Sequence, residues 1–358
     1  MRIAVLGVGL IGGSVGLAAR ERLEGAEVAG YDASPDVLER ARELGAVDRA
    51  ARSVREAVEG AEACFVCVPV GALTTVVDAT LESAGADCVV SDVGSTKRAV
   101  VRATLDERFV GGHPVAGLES SGVEHARPDL FDGAAWYLTP GERSSGLLYE
   151  RLHRVVLSLG ARPVAIDADT HDRLMATVSH LPHVLANVLV SQAASTLSQE
   201  GEALPRVGPS FRDATRVAGA SSGIWTDIYM ANAEAIAAGV EEVADRLREV
   251  AGMLRSGSAP LVEGWNEAAR EDRRRLLEAE LAGGPVHELR LTVPNKPGIV
   301  AQAALALGRG GVNILDMALA PAPDMRSGAI TFWIAGDEAA ARARALLEEL
   351  GFPVATEG

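Results

Sequence analysis

The first stretch of the chain that could do chemistry is Gly7-Val8-Gly9-Leu10-Ile11-Gly12, a G-x-G-x-x-G pattern directly after the apolar run Ile3–Leu6. Glycines there permit a tight turn and let the backbone approach a pyrophosphate, whose charge rests on the N-terminus of the following helix. Gly7, Gly9, Leu10, Ile11 and Gly12 are the expected cofactor contacts, with Val68 and Pro69 after the third apolar run. Asp32 closes the second run, 20 residues past Gly12. A carboxylate there hydrogen-bonds ribose hydroxyls and repels a 2′-phosphate, which favours NAD over NADP. Ala33-Ser34-Pro35 follows, with no arginine to receive a phosphate.

The second stretch is His113-Pro114-Val115-Ala116-Gly117-Leu118-Glu119, expected just past a strand over Arg108–Gly112. Ligands of open α/β sheets bind beyond the carboxyl ends of strands, so His113 is aimed at the nicotinamide end. Histidine has the pKa to accept a proton from an alcohol as hydride leaves its carbon. Ser95, in Asp92-Val93-Gly94-Ser95-Thr96-Lys97, follows the preceding strand and is placed to bond the same hydroxyl. A third stretch is His171-Asp172-Arg173…Ser179-His180-Leu181-Pro182-His183. At helical spacing Asp172, Ser179 and His183 fall within about 20° of one line, a polar stripe that needs a polar partner. Pro182 removes an N–H and should bend this helix. His180 and His183 lack a clear third ligand for a metal, and none is expected. Arg212 and Arg216, in Phe211-Arg212-Asp213-Ala214-Thr215-Arg216, are equal candidates for holding a carboxylate.

These residues need a scaffold. The chain has 358 residues, 48% of them hydrophobic and 23% charged, which suits two larger domains plus a small one. A net charge of −15 argues against a nucleic-acid surface. Gly, Pro or charge interrupts the apolar stretches, so no membrane span is expected. Cys64, Cys67 and Cys88 fit a reducing cytoplasm, and the Cys64–Cys67 pair reads as buried strand rather than redox motif. Apolar runs at Ile3–Leu6, Glu27–Tyr31, Cys64–Val68 and Cys88–Ser91 alternate with helical stretches, which predicts a doubly wound parallel sheet. Ala134–Leu138 and Ala161–Ile166 should extend it, giving a Rossmann-like domain over 1–167. An all-helical domain follows over 168–281, with helices expected at His171–Thr196, Met230–Leu254 and Leu261–Leu281. Its broad apolar surface calls for a second copy, hence a homodimer. Residues 286–358 read as β-α-β-β-α-β, a small α+β ferredoxin-like module.

Taken together, the Gly7–Gly12 turn, Gly94-Ser95-Thr96-Lys97, Gly112–Glu119, His171–His183 and Asp213-Ala214-Thr215-Arg216 resemble the prephenate dehydrogenase family over essentially the whole chain. Val293-Pro294-Asn295-Lys296-Pro297-Gly298 and Gly311-Val312-Asn313-Ile314 look like an ACT domain, a regulatory amino-acid-binding unit. The resemblance implies NAD-dependent oxidative decarboxylation of prephenate to 4-hydroxyphenylpyruvate, CO2 and NADH. It implies that His113 polarises or deprotonates the ring hydroxyl with help from Ser95. Arg216 would hold the ring carboxylate and His183 the pyruvyl side chain, with Glu119, Asp172 and Ser179 ordering the substrate pocket. Asn295, Gly298 and Asn313 would bind an effector, tyrosine being the natural inhibitor. Arogenate dehydrogenase, a dual-specificity cyclohexadienyl enzyme and a non-catalytic NAD-binding sensor are the alternatives. A β-hydroxyacid dehydrogenase is excluded, because those enzymes use a lysine in the helical part and none lies between Lys97 and Lys296.

Overall fold

The computed structural model describes residues 1–117, 120–199, 207–278, 285–294, 296–322 and 327–356. The first part runs β1 (Arg2–Leu6), α1 (Leu10–Arg22), β2 (Glu27–Tyr31), α2 (Pro35–Glu43), β3 (Arg49–Ala50) and α3 (Val54–Val58). It continues through β4 (Ala63–Val66), α4 (Leu73–Ser83), β5 (Val89–Asp92) and α5 (Arg98–Ala103). Strands β3-β2-β1-β4-β5 lie in that order, all parallel. Ile3, Val5, Phe65 and Val89 on one face and Ala4, Leu6, Cys64 and Val90 on the other enter two separate cores. Burial on both faces is why these strands read as unbroken apolar runs.

The parallel pattern stops there. Strands β6 (Val110–Pro114), β7 (Ala135–Pro140) and β8 (Arg162–Ala165) form a second sheet, with α6 (Gly146–Ser158) before β8. β7 pairs antiparallel with β6 and parallel with β8. The expectation of an all-parallel sheet is corrected here. Only a short 3-10 turn, Val123–His125, lies between β6 and β7 among the described residues, and without a crossover helix a returning strand runs antiparallel. A single parallel bridge, Val90 to Phe109, aligns β6 with β5 and leaves both C-terminal ends on one edge. Cys64 and Cys88 are buried free thiols, and burial pushes all three cysteines up, Cys88 to about 11.

The helical part contains α7 (Ala168–Met175), α8 (Leu181–Gln199), α9 (Pro209–Thr215), α10 (Ser222–Ala231), α11 (Ala233–Ser256) and α12 (Ala259–Glu278). Between α7 and α8 the chain forms a π turn over Ala176–His180, in which the Leu181 N–H bonds the Ala176 carbonyl five residues back. Pro182, which has no N–H to give, sits immediately after it, so a widened turn takes the place of the expected simple bend. The helix expected over Met230–Leu254 is broken at Asn232, whose buried amide is used elsewhere. Segment Ala168–Thr196 is long and apolar enough, with mean hydropathy 1.3, to cross a membrane by length and composition alone. It also carries the buried His171, Asp172, His180 and His183. Val188, Leu189, Val190, Met230, Leu247 and Leu254 stand exposed across this helical part.

The last part is β9 (Val286–Pro294), α13 (Ile299–Arg309), β10 (Ile314–Pro321), β11 (Ser327–Ala335), α14 (Asp337–Glu349) and β12 (Val354–Thr356). Its sheet order is β10-β11-β9-β12, antiparallel throughout. It packs on the first part closely enough that a Cβ at Gly308 would stand 1.9 Å from the Ala165 carbonyl oxygen. Asp167 joins the two parts: Oδ1 accepts the Thr170 N–H at 2.9 Å and so caps α7, while Oδ2 accepts from Arg309 Nε at 3.2 Å.

Candidate active site

The glycine turn divides its labour. Gly7 has φ +88° and a Cβ on it would meet the Cys67 carbonyl oxygen at 2.3 Å, and a Cβ on Gly12 would meet the Gly7 carbonyl oxygen at 2.0 Å. Both positions are closed by the protein's own backbone. A Cβ on Gly9 meets nothing within 4 Å, so the space against the start of α1, led by Leu10 and Ile11, is open where a pyrophosphate would rest. Asp32 follows β2, and its Oδ2 accepts the Val8 N–H at 3.0 Å while Oδ1 accepts the Ser34 N–H at 2.9 Å. It therefore shapes the glycine turn as well as presenting a carboxylate. Val68 and Pro69 follow β4 beside the same turn. These residues fit a dinucleotide.

His113 lies within β6 rather than in the loop after it, two residues further into regular structure than its sequence suggested. It remains on the C-terminal edge of the sheet and is 9% exposed. Its Nδ1 lies 2.9 Å from Nε2 of His171, and Nδ1 of His171 lies 2.8 Å from Oδ1 of Asp172. Asp172 in turn accepts the backbone N–H groups of Lys97 at 2.8 Å and Arg98 at 3.0 Å, where α5 begins. Burial alone would raise the Asp172 carboxyl, but bonds from His171, Lys97 and Arg98 outweigh it and hold the group below the usual carboxylate range. Burial, with His171, Lys97 and His180 nearby, holds the His113 imidazole well below its ordinary pKa. Lys97 is itself fully buried and paired with Asp92, which also accepts the Gly94 N–H at 2.8 Å and the Gly112 N–H at 3.1 Å. Ser95 stands half-buried in the loop these bonds secure.

The helical part supplies a second cluster. His183 stacks on Trp225 with ring centroids 3.5 Å apart and planes 6° from parallel. Its Nδ1 bonds the Tyr229 hydroxyl and lies 3.2 Å from Asn187 Nδ2. Burial lowers its pKa, opposed by the Val217 carbonyl. Helix α10, which carries Trp225 and Tyr229, is tied to the turn after β4 because Asp227 Oδ2 accepts the Gly71 N–H at 3.2 Å. Arg216 is exposed, next to Val217 on a 3-10 turn packed against α8.

The polar stripe drawn at regular α spacing is altered by the π turn, which adds a residue: Ser179 is exposed, and His180 joins Asp172 and His183 among the buried positions. Asn232 Nδ2 donates to the Asp172 carbonyl oxygen at 2.7 Å and lies 3.3 Å from His180 Nδ1. Glu119 and Asn295 lie outside the described residues. Gly298, with φ +79°, closes on the Glu142 carbonyl oxygen, which a Cβ would meet at 2.3 Å, and Asn313 is exposed. The sequence reading missed the roles of His171, Lys97, Trp225, Tyr229 and Asn232. Its one available signal was the cluster of His171, His180 and His183 on a single apolar helix. No group of three metal-ligating side chains converges among the described residues.

A parallel sheet of this order with an open glycine turn, a buried histidine at the C-terminal edge of its strands and a helical domain packed beside it marks an NAD-dependent oxidoreductase. Residues 15–165 match the nucleotide-binding domain of prephenate dehydrogenase, and residues 167–266 match its dimerization domain. The prephenate dehydrogenase of Bacillus subtilis (strain 168) is 28% identical over 353 residues, covering 97% of this chain and 95% of that protein. The cyclohexadienyl dehydrogenase of Zymomonas mobilis is 33% identical over 239 residues, 65% of this chain and 82% of that one. Prephenate dehydrogenase from A. aeolicus, solved with hydroxyphenyl propionate and NAD+, superposes with a TM-score of 0.73 at 26% identity, over 77% of this chain and 98% of its own. The chain belongs to the prephenate dehydrogenase family. The exposed apolar residues of its helical part lie in the dimerization domain.

Proposed function

We propose that the chain oxidatively decarboxylates prephenate to 4-hydroxyphenylpyruvate and CO2. NAD+, held by the Gly7–Gly12 turn, Asp32, Val68 and Pro69, supplies the hydride acceptor when bound. The observation that carries the reading is His113: buried, neutral, on the sheet edge that a bound nicotinamide faces, and hydrogen-bonded, among the described residues, through Nδ1 to His171. Its Nε2 is left to take the proton of the ring hydroxyl as hydride leaves the same carbon. Ser95 orients that hydroxyl from the neighbouring loop. Arg216 holds the ring carboxylate until the C–C bond breaks, and the bond's electron pair completes the aromatic ring. His183, fixed by Trp225 and Tyr229, receives the side-chain end of the substrate. Glu119 belongs to the same pocket in this reading.

Arogenate is the second reading, and His183 leaves it open: burial lowers its pKa, and a neutral imidazole accepts a keto or an amino head group. The C-terminal part acts in this reading as an ACT-like regulatory unit for tyrosine, with Asn295, Gly298 and Asn313 as its effector residues. Supporting it is a cavity of about 770 Å³ between α5, the β7–α6 turn, the start of α7 and α13, lined by Arg102, Asp169, Lys296, Gly298 and Arg309 among others. Buried free thiols support a cytoplasmic setting. The test is NADH formation with prephenate or arogenate, each with and without tyrosine. Reduction with prephenate that tyrosine suppresses supports the whole reading; reduction with arogenate alone changes the substrate. No reduction by folded, NAD+-binding protein favours a sensor.

A further inference from the structure

We infer that His171 is a positioning residue that holds His113 in the one tautomer able to accept a proton at Nε2. This rests on the reading of His113 as the base. The hydrogen inventory is forced from one end. Asp172 accepts two backbone N–H groups, from Lys97 and Arg98, and its ionised carboxylate has no proton to give. The His171 nitrogen 2.8 Å from Oδ1 must therefore carry the hydrogen, which leaves Nε2 of a neutral His171 with only a lone pair. That lone pair faces His113 Nδ1 at 2.9 Å, so Nδ1 of His113 is the protonated nitrogen and Nε2 is bare.

The geometry excludes the reverse order. Flipping His113 would set two lone pairs against each other between buried rings, a loss that no solvent makes good in a site where His171 and Asp172 have no measurable exposure. The same line of atoms spreads charge when His113 becomes imidazolium: its Nδ1–H still points at His171, and Asp172 lies one ring further on. The arrangement ties two domains together, since His113 is on β6, Asp172 on α7 and the backbone donors at the start of α5. The logic is that of a catalytic triad with a second imidazole inserted.

Among the described residues, the charged and titratable groups that face the pair are Lys97 from the loop before α5, Asp92 from β5, Asp172 from α7, His180 from the π turn and Tyr137 edge-on from β7. The experiment is 15N NMR of histidine-labelled wild-type protein, which reports which ring nitrogen of His113 is protonated, with His171→Gln and His171→Leu beside it. Wild type should show the proton on Nδ1. His171→Leu should lower kcat roughly 10- to 100-fold, leave the Kd for NAD+ and the KM for substrate within about twofold, and shift the acid limb of the pH profile. His171→Gln, whose amide oxygen reaches toward the lost Nε2, should recover most of kcat. A proton on Nε2 of His113 in the wild type, or full activity in His171→Leu, overturns the inference. His113→Asn keeping its activity would instead overturn the base assignment and leave the tautomer result standing. Should His171→Leu fail to fold, the wild-type spectrum decides alone.

Discussion

Substituting the glycines of the first turn one at a time separates cofactor binding from folding. A methyl added at Gly9 enters space with no protein atom within 4 Å, so the fold should hardly notice it. Gly9 is also the residue before α1, in extended backbone that alanine can adopt. Loss of a favoured cap residue and the gain from a less flexible unfolded chain nearly cancel, leaving Tm within about 2 °C of wild type. The cofactor should notice it strongly. The methyl stands where the pyrophosphate meets the helix N-terminus, and losing one charge-assisted contact costs about 1.5–3 kcal/mol, or roughly 10- to 150-fold in Kd for NAD+. Gly12→Ala should behave the opposite way. Its Cβ would lie 2.0 Å from the Gly7 carbonyl oxygen, a backbone atom that cannot rotate aside. Overpacking of that kind costs about 1–3 kcal/mol and lowers Tm by roughly 2–10 °C. Titration calorimetry with NAD+ and a thermal melt on each variant read the two effects separately. An unchanged Kd in Gly9→Ala, or a melt that drops as far as that of Gly12→Ala, would refute the assignment of open space at Gly9 to the cofactor.

Asp32→Ala should weaken NAD+ and narrow the gap between NAD+ and NADP+, because it removes both the carboxylate and the bond to the Val8 N–H; an unchanged ratio of kcat/KM for the two cofactors takes Asp32 out of that role. Arg216→Ala should raise the KM for substrate about 10-fold or more with a smaller change in kcat, as expected for a lost charged contact; steady-state kinetics at saturating NAD+ checks it. Stability should fall on acidification. Burial of His153 pulls its pKa to about 4, so below its ordinary value the unfolded chain takes up the proton first and stability is lost between roughly pH 6.5 and pH 4. At pH 5 that amounts to about 2 kcal/mol, and His153→Leu should remove that share of the difference between urea melts at about pH 7 and pH 5.

How much the sequence could reveal varies with the kind of signal. The strand Glu27–Tyr31 and the turn at Gly7–Gly12 were legible because each is local: an apolar run buried on both faces, and a glycine spacing with its own mechanism. Strand β6 was misplaced by two residues because Gly111-Gly112-His113-Pro114 has no hydrophobic pattern, and pairing with β7 rather than propensity extends it. Ser179 falls off the expected stripe for a geometric reason: the spacing assumed an unbroken α-helix, and Pro182 sits where the turn widens. Asn232 interrupts a helical pattern that looks continuous, and its reason, one buried partner on α7 and another on the π turn after it, is visible only in three dimensions. The contact of His113 with His171, and that of Asp172 with the start of α5, join residues 58 and 75 positions apart. No periodicity encodes such meetings.

The central claim is that this chain oxidises prephenate with His113 as the proton acceptor. The most direct test measures NADH and CO2 released from prephenate and NAD+, by wild type and by His113→Asn, after each is shown to be folded and to bind NAD+ equally. The wild type should release the two products one for one, and the variant should turn over about 10²- to 10⁴-fold more slowly. A variant that keeps a wild-type rate, or a wild type that binds NAD+ yet reduces none of it with prephenate, would contradict the account.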